Sequence, residues 1–222
     1  MILLWDIDGT LLDTGGSGVQ ALVDAIKKHT GLEIAFHREN VSGLTDYEIV
    51  QKLIVEKRGN RPTNVEISEI LDTHISNYRI ILEQKPAIQI DGISQKLTEL
   101  ELVSGIQNGI LTGNCEEGAK IKLSSAKLEK FFQKPFIFTA NCALNSRVKI
   151  VRAACRVLPP DHEIILIGDT PNDIVAAQQN GLRIVSIPTG TFTYEELKKL
   201  NQKDTLQEKW KTSDLLERIF YE

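Results

Sequence analysis

Apolar residues follow two rhythms along this chain. At the N-terminus, "MILLW" (1–5) is an unbroken apolar run that stops at Asp6, the pattern of a short strand covered on both faces. Similar runs return in "NGILTGN" (108–114), "KPFIFTA" (134–140), "HEIILIGD" (162–169) and "LRIVSIP" (182–188). Between the later ones, helical spacing predicts helices over 116–132, 145–157 and 171–180. Strand and helix alternate, so the second half reads as an open parallel α/β sheet.

Residues 14–90 break that alternation. Ile67, Ile70, Leu71, Ile75, Tyr78 and Leu82 form a stripe at steps of three and four, and shorter helices are predicted over 17–29 and 45–58. The glycine-rich "TGGSG" (14–18) and the polar, proline-containing "EQKPAIQIDG" (83–92) flank this block with the composition of linkers. The expectation is a small helical domain, residues 14–91, inserted into a core formed by 1–13 and 92–222. Two connections would let it open and close as a lid; a fixed helical flank is the alternative.

Composition narrows the function classes. With 222 residues, 41% hydrophobic and 25% charged, the chain has the make-up of a globular protein with room for a core and an accessory domain. A net charge of −4 supplies no broad basic field, so nucleic acid is not an expected partner. No apolar stretch approaches the roughly 20 residues that cross a bilayer, so no membrane partner is expected. "MILLW" lacks a basic leader and is too short for a signal core. Cys115, Cys142 and Cys155 form no Cys-x-x-Cys pair and read as reduced thiols. The expected location is the cytoplasm. Nothing in the pattern signals an oligomeric state.

The chemistry lies where the apolar runs end. Asp6, then Thr112 and Asn114, then Asp169 follow three separate strands, and the crevice beyond the carboxyl ends of such strands is the usual ligand site. Asp6 and Asp8, one residue apart, are like charges at the end of a buried segment, which is costly. A divalent cation resolves the repulsion, and Mg²⁺ takes oxygen ligands from one or two carboxylates, waters and phosphate. "IGDTPND" adds Asp169 and, on the first turn of the next helix, Asp173. Acidic segments converging without a matching basic cluster point to a metal.

These motifs resemble those of the haloacid dehalogenase superfamily of phosphatases. "DIDGT" (6–10) looks like its first motif, "ILTGN" (110–114) its second and "GDTPND" (168–173) its fourth. Their order and spacing match across nearly the whole chain. The helical block resembles the family's small C1-type cap, and the match is close to the phosphoglycolate-phosphatase-like branch. The resemblance implies a Rossmann-like parallel core with that cap inserted. It makes Asp6 the nucleophile that takes the phosphoryl group, and Asp8 the group that protonates the leaving alcohol and later deprotonates water. Neighbouring negative charge would help Asp8 to hold a proton. Mg²⁺ would be held by Asp6, the backbone carbonyl of Asp8, and Asp169, with Asp173 in a supporting or ligating role. Thr112 would donate to a phosphoryl oxygen, with backbone N–H groups beyond it. Gly113 suits close backbone approach, while Asn114 orders the loop or touches substrate.

The third motif departs from the common Lys-Pro pattern. "NCALNSRVKIVRAA" (141–154) offers Arg147 and Lys149, of which Arg147 is preferred because its spacing to Ile150 and Val151 resembles relatives with arginine there. In the cap, "SGLTDYEI" (42–49) resembles the segment that faces the active site, making Gly43, Thr45 and Asp46 candidate specificity residues. Thr45 and Asp46 also make a good helix N-terminus. The expected activity is hydrolysis of a small phosphorylated metabolite, phosphoglycolate-like or a sugar phosphate, through an aspartyl-phosphate. The alternatives are a phosphomutase of the same superfamily and a non-catalytic phosphate-binding or phospho-accepting module.

Overall fold

The computed structural model describes residues 1–132 and 135–206, together with Leu215 and Ile219. Among these residues, five strands form a parallel sheet in the order β5 (Ile137–Ala140), β4 (Gln107–Cys115), β1 (Ile2–Trp5), β6 (Ile164–Gly168), β7 (Arg183–Ser186). The first strand is central because it has nothing polar to show: all four of its residues are fully buried. Its one polar atom outside the backbone, the Trp5 indole N–H, donates to Asn108 Oδ1 at 3.0 Å. From β1 the chain builds outward to β4 and β5 on one side, then returns to β6 and β7 on the other. The strand order therefore reverses at β1, and the crevice there opens beside Asp6.

Helices cover both faces. Leu3, Trp5, Ile110, Ile165 and Ile167 pack in one apolar cluster with α4 (Ile93–Glu101) and α5 (Glu116–Ser125). Ile2, Leu4, Leu111 and Leu166 pack in the other with α6 (Arg147–Val157) and α7 (Pro171–Gln179). Each fully buried aliphatic side chain of this kind contributes about 1.5–3 kcal/mol of transfer free energy. The chain then forms α8 (Tyr194–Leu200), whose cap Thr193 accepts from Glu196 N while Glu196 reaches back, the capping box its sequence spells.

The helical block consists of α1 (Ser17–Thr30), α2 (Asp46–Arg58) and α3 (Asn64–Gln84). Leu22, Ile26, Ile49, Leu53, Ile67 and Ile70 fill a third cluster of their own. Its two connections are paired rather than loose: β2 (Leu12–Asp13) runs antiparallel to β3 (Ile88–Gln89). Periodicity alone misses this two-residue ladder, because such short strands carry no period.

Other boundaries move by physical cause. The helix expected over 116–132 ends at Ser125, and Lys127 takes a positive φ of 56° before a 3-10 turn at Glu129–Phe131. In the strand expected over 134–140, residue 134 lies outside the described residues and β5 begins at Ile137. The helix Ile93–Glu101 falls inside a stretch that the strand-and-helix pattern leaves unassigned.

Candidate active site

The site begins where β1 ends. Asp6 N still donates to Ile167 O at 2.9 Å, after which Leu11 N and Leu12 N turn back onto Ile7 O at 2.9 and 3.1 Å. Gly9 makes this turn with φ 84°, and a Cβ there would run into the Asp169 carboxylate. Glycine thus serves both the left-handed backbone and the close approach of an acid. The Asp6 side chain is 3% exposed. Asp8 leaves the same loop in another direction, its side chain 39% exposed.

Asp6, Asp169 and Asp173 each present a carboxylate oxygen within 4.8 Å of the others, and all three are buried. Thr10 donates its hydroxyl to Asp169 Oδ1 at 2.9 Å across the loop. Asp173 is occupied on both sides. Its Oδ2 accepts from Thr170 N and Oγ1 at 3.1 and 2.7 Å in a capping box, and its Oδ1 accepts from Arg147 Nη1 at 2.6 Å. Arg147 Nη1 also lies 3.0 Å from Asp6 Oδ1, an ion pair whose angle falls short of a hydrogen bond, leaving Oδ1 buried without a donor.

The electrostatics follow from that crowding. Burial pushes the Asp6 carboxyl up to about 6, with Arg147 opposing and Asp173 adding to the rise. Asp169 is driven well above the usual carboxylate range by burial and by Asp6 and Asp173. Arg147 is held more firmly protonated than usual, because Asp173 and Asp6 outweigh its burial. Three carboxylates against one guanidinium leave uncompensated negative charge and an orphaned oxygen. A hard divalent cation such as Mg²⁺ fits this all-oxygen donor set. Asp6 and Asp169 are side chains that could hold it, whereas Asp173 is already paired with Arg147 and Thr170.

The second-motif residues and the loop before α2 meet face to face. Thr112, 1% exposed, donates to Asn114 Oδ1 at 3.3 Å and accepts from Asn114 N at 3.3 Å. A Cβ on Gly113 would come within 2.8 Å of Leu44 O, so this glycine admits the helical block's own backbone. Gly43, with φ 75°, stands over Thr170 and Asn172. Its carbonyl accepts from Arg147 Nε at 3.1 Å. Thr45 caps α2 and donates to Asn145 O at 3.1 Å. Asp46 accepts from Cys115 N at 2.8 Å and faces Asn114 Nδ2 at 3.5 Å. Gly43, Thr45 and Asp46 thus spend these polar groups on docking the helical block to the core. Lys149 is exposed and donates to Asn145 Oδ1 at 2.8 Å; of the two candidate cations, Arg147 is the one brought to Asp6.

Beneath the docked loop lies a cavity of about 90 Å³. Asp6, Asp8, Arg147 and Asp169 wall one end; Val19, Leu22, Val41 and Ile49 wall part of the other. Two titratable lining residues, Lys122 and His74, carry no motif in the sequence. Lys122, on α5, is buried and donates to Asp8 Oδ2 at 2.6 Å. Asp8, expected among negative neighbours, has a cation as its immediate partner. His74, on α3, is 4% exposed, stacks on Tyr78 with ring centroids 5.4 Å apart and leaves Nδ1 unpartnered. Burial pushes it down to about 4. The available signal was position: Lys122 falls on the stripe of Ala119, Leu123 and Ala126, and His74 on that of Ile67, Ile70, Leu71 and Tyr78.

Comparison with known proteins gives the family and the fold. A relative provisionally named the pyrophosphatase PpaX, from Caldanaerobacter subterraneus subsp. tengcongensis, is 23% identical over 209 residues, covering 94% of this chain and 90% of its own. A provisionally assigned phosphoglycolate phosphatase from Lactobacillus delbrueckii subsp. bulgaricus superposes with a TM-score of 0.72 at 19% identity, covering 100% of this chain and 98% of that one. CbbY from Rhodobacter sphaeroides, solved in complex with phosphate, superposes with a TM-score of 0.68 at 19% identity over 86% of each chain. At these identities the superpositions show a shared fold. The family model described as haloacid dehalogenase-like hydrolase matches residues 3–187, and with that extent the chain belongs to this hydrolase family.

Proposed function

We propose that this protein is a magnesium-dependent phosphatase that hydrolyses a small phosphorylated metabolite through an aspartyl-phosphate on Asp6. The observation that carries the reading is the buried Asp6 carboxylate at the sheet's switch point, flanked by Asp169 and Arg147 and facing a cavity. A carboxylate can displace the alcohol from phosphorus and then be released by water, splitting one difficult step into two. Asp8, on the same loop but turned away from the acidic cluster, is placed to give a proton to the departing oxygen and take one from water. Arg147 orients Asp6 and supplies a fixed positive charge beside the reacting group. Thr112 and the backbone after it offer donors to the phosphoryl oxygens. Asp6, the Asp8 backbone carbonyl and Asp169 are assigned to Mg²⁺, which when bound offsets the negative charge between nucleophile and phosphate.

Residues 14–91 serve in this reading as the lid, hinged at the β2–β3 ladder, over a core of 1–13 and 92–222. The cavity, lined in part by Val19, Leu22 and Val41 of the helical block, suits a small phosphate ester better than a phosphoprotein. Release of inorganic phosphate from p-nitrophenyl phosphate with Mg²⁺ tests the activity. Turnover is expected to stop in excess EDTA, return with Mg²⁺, and fall at least about 10³-fold in Asp6→Asn. Hydrolysis unaffected by EDTA, or Asp6→Asn as fast as the native chain, would overturn the reading. A panel of phosphorylated metabolites, scored for phosphate release against isomerised product, identifies the substrate and separates a phosphatase from a mutase.

A further inference from the structure

We infer that Lys122 is a positioning residue for Asp8, holding the carboxyl that exchanges protons in both half-reactions; the inference rests on the proposed phosphatase reading. Lysine is almost never buried without a partner. Lys122 has its ammonium 2.6 Å from Asp8 Oδ2, with its side chain 8% exposed. Lys122 belongs to the buried face of α5 with Ala119 and Leu123, and Nζ sits 5.7 Å from the centroid of the Tyr78 ring. Tyr78 belongs to α3 of the helical block and is fully buried. The ammonium is therefore confined between the core and the lid.

One carboxylate oxygen of Asp8 is thereby fixed and Oδ1 is left for proton exchange. In the first half-reaction the bond from Asp6 Oδ to phosphorus forms as the phosphorus–oxygen bond to the alcohol breaks, and the Asp8 proton passes to the departing oxygen. In the second, water attacks phosphorus, its proton passes to Asp8, and the Asp6 carboxylate is freed with inorganic phosphate. Lys122 transfers nothing; it keeps Asp8 aimed while the proton leaves and returns. A misplacement of about 1 Å at such a group costs on the order of 10²-fold. Arg147 cannot substitute, since its fork is committed to Asp173, Asp6 and the Gly43 carbonyl.

The test is transient kinetics on Lys122→Met, which keeps the stem and removes the charge. With p-nitrophenyl phosphate the leaving phenolate needs little protonation, so phosphoenzyme formation should stay within about threefold of the native rate while water attack slows about 10²-fold. The signature is a burst of p-nitrophenol, close to one equivalent per enzyme, before a slow steady state. With an alkyl phosphate such as glycerol phosphate, whose leaving group needs the proton, the first step should slow about 10²-fold and no burst appear. A merely structural role would lower both substrates alike without a burst, and that outcome overturns the inference. Should Lys122→Met fail to fold, Lys122→Arg is the second variant. It restores a cation and should retain turnover within about tenfold without a burst; a native-fold Lys122→Arg as slow as Asp8→Asn with both substrates overturns the assignment. The Asp8→Asn background isolates the pair: Lys122→Met should add nothing further there, and an additive loss also counts against positioning. If the native enzyme releases no phosphate from either ester, the phosphatase reading itself has failed.

Discussion

Two buried cations stand on opposite sides of the first-motif loop, and each is held differently. Arg147 comes from the first turn of α6 and meets two buried carboxylates, Asp173 and Asp6. Lys122 comes from the middle of α5 and meets one carboxylate, Asp8, which is 39% exposed. A planar fork can bridge two acids and a carbonyl at once, whereas an ammonium acts as a point charge. The first arrangement balances a charge cluster; the second aims one side chain. On the proposed mechanism, the difference separates what the site needs in order to exist from what it needs in order to turn over.

Substitution should expose that difference most strongly in stability. Arg147→Met leaves Asp173 and Asp6 buried beside Asp169 without a cation, and breaking a buried pair of this kind costs about 3–5 kcal/mol. Lys122→Met leaves a carboxylate that water can reach, so its cost should be nearer 1–2 kcal/mol, on the order expected between exposed and buried pairs. Urea unfolding of both variants without metal measures the two values side by side. Equal losses would erase the comparison, and a larger loss for Lys122→Met would invert it.

The two cations also differ in how far the sequence announces them. Arg147 and Lys149 both fall at a predicted helix start after a predicted strand, where a third motif is expected, and resemblance to relatives with arginine there is what favours Arg147. Lys122 sits in "EEGAKIKLSS" two residues from the exposed Lys120, and only its register against Ala119, Leu123 and Ala126 marks it as inward. Asp6 and Asp169 were legible for the same reason as the sheet: each follows a short apolar run, and a strand's end is fixed by where its apolar residues stop; Asp8 was marked by its spacing from Asp6. The β2–β3 ladder has no such signature, because two residues define no period. Thr45 was legible as a helix cap, but its bond to Asn145 O depends on how the helical block meets the core. Pairwise packing of that kind is not written in local spacing.

Metal binding sharpens the contrast at intermediate size. Burial raises Asp6 to about 6 from an ordinary value of 3.8. In the metal-free protein this group therefore contributes stability below its unfolded value, and that stability is lost as pH rises through about 6. A metal ion competes for the same oxygens and favours the opposite end of the range. Mg²⁺ should raise the melting temperature clearly at pH 7.5 and much less at pH 5.5, its affinity falling about tenfold per pH unit for each proton displaced. Lys122→Met, on the other side of the loop, should keep this response, while Arg147→Met should alter it. Calorimetry at both pH values, with and without Mg²⁺, decides the matter; a pH-independent Mg²⁺ response would contradict the assignment of Asp6 and Asp169 as ligands.

The smallest effect belongs to His74, which shares a wall with Lys122 but has no acid as a direct partner. Lys122 stays charged in the interior because Asp8 stands against it; His74 is pushed down to about 4 because burial dominates. Asp46 from α2 and Asp8 from the first-motif loop raise it, and Lys122 from α5 lowers it. A histidine with a depressed value contributes stability that is present above about 6.5, its unfolded value, and is lost as pH falls through about 4. His74→Phe keeps an aromatic ring against Tyr78 and removes the unpartnered Nδ1. At pH 7.5 the variant should lie within about 1 kcal/mol of the native chain, since replacing a poorly satisfied polar group by an apolar one of similar shape is close to neutral. At pH 4.5 it should unfold at a higher temperature than the native chain, because it no longer has a ring that must be kept neutral on folding. A melting difference that does not change between the two pH values would mean that His74 carries its proton in the fold, and burial without an acid beside it would then not be what separates it from Lys122.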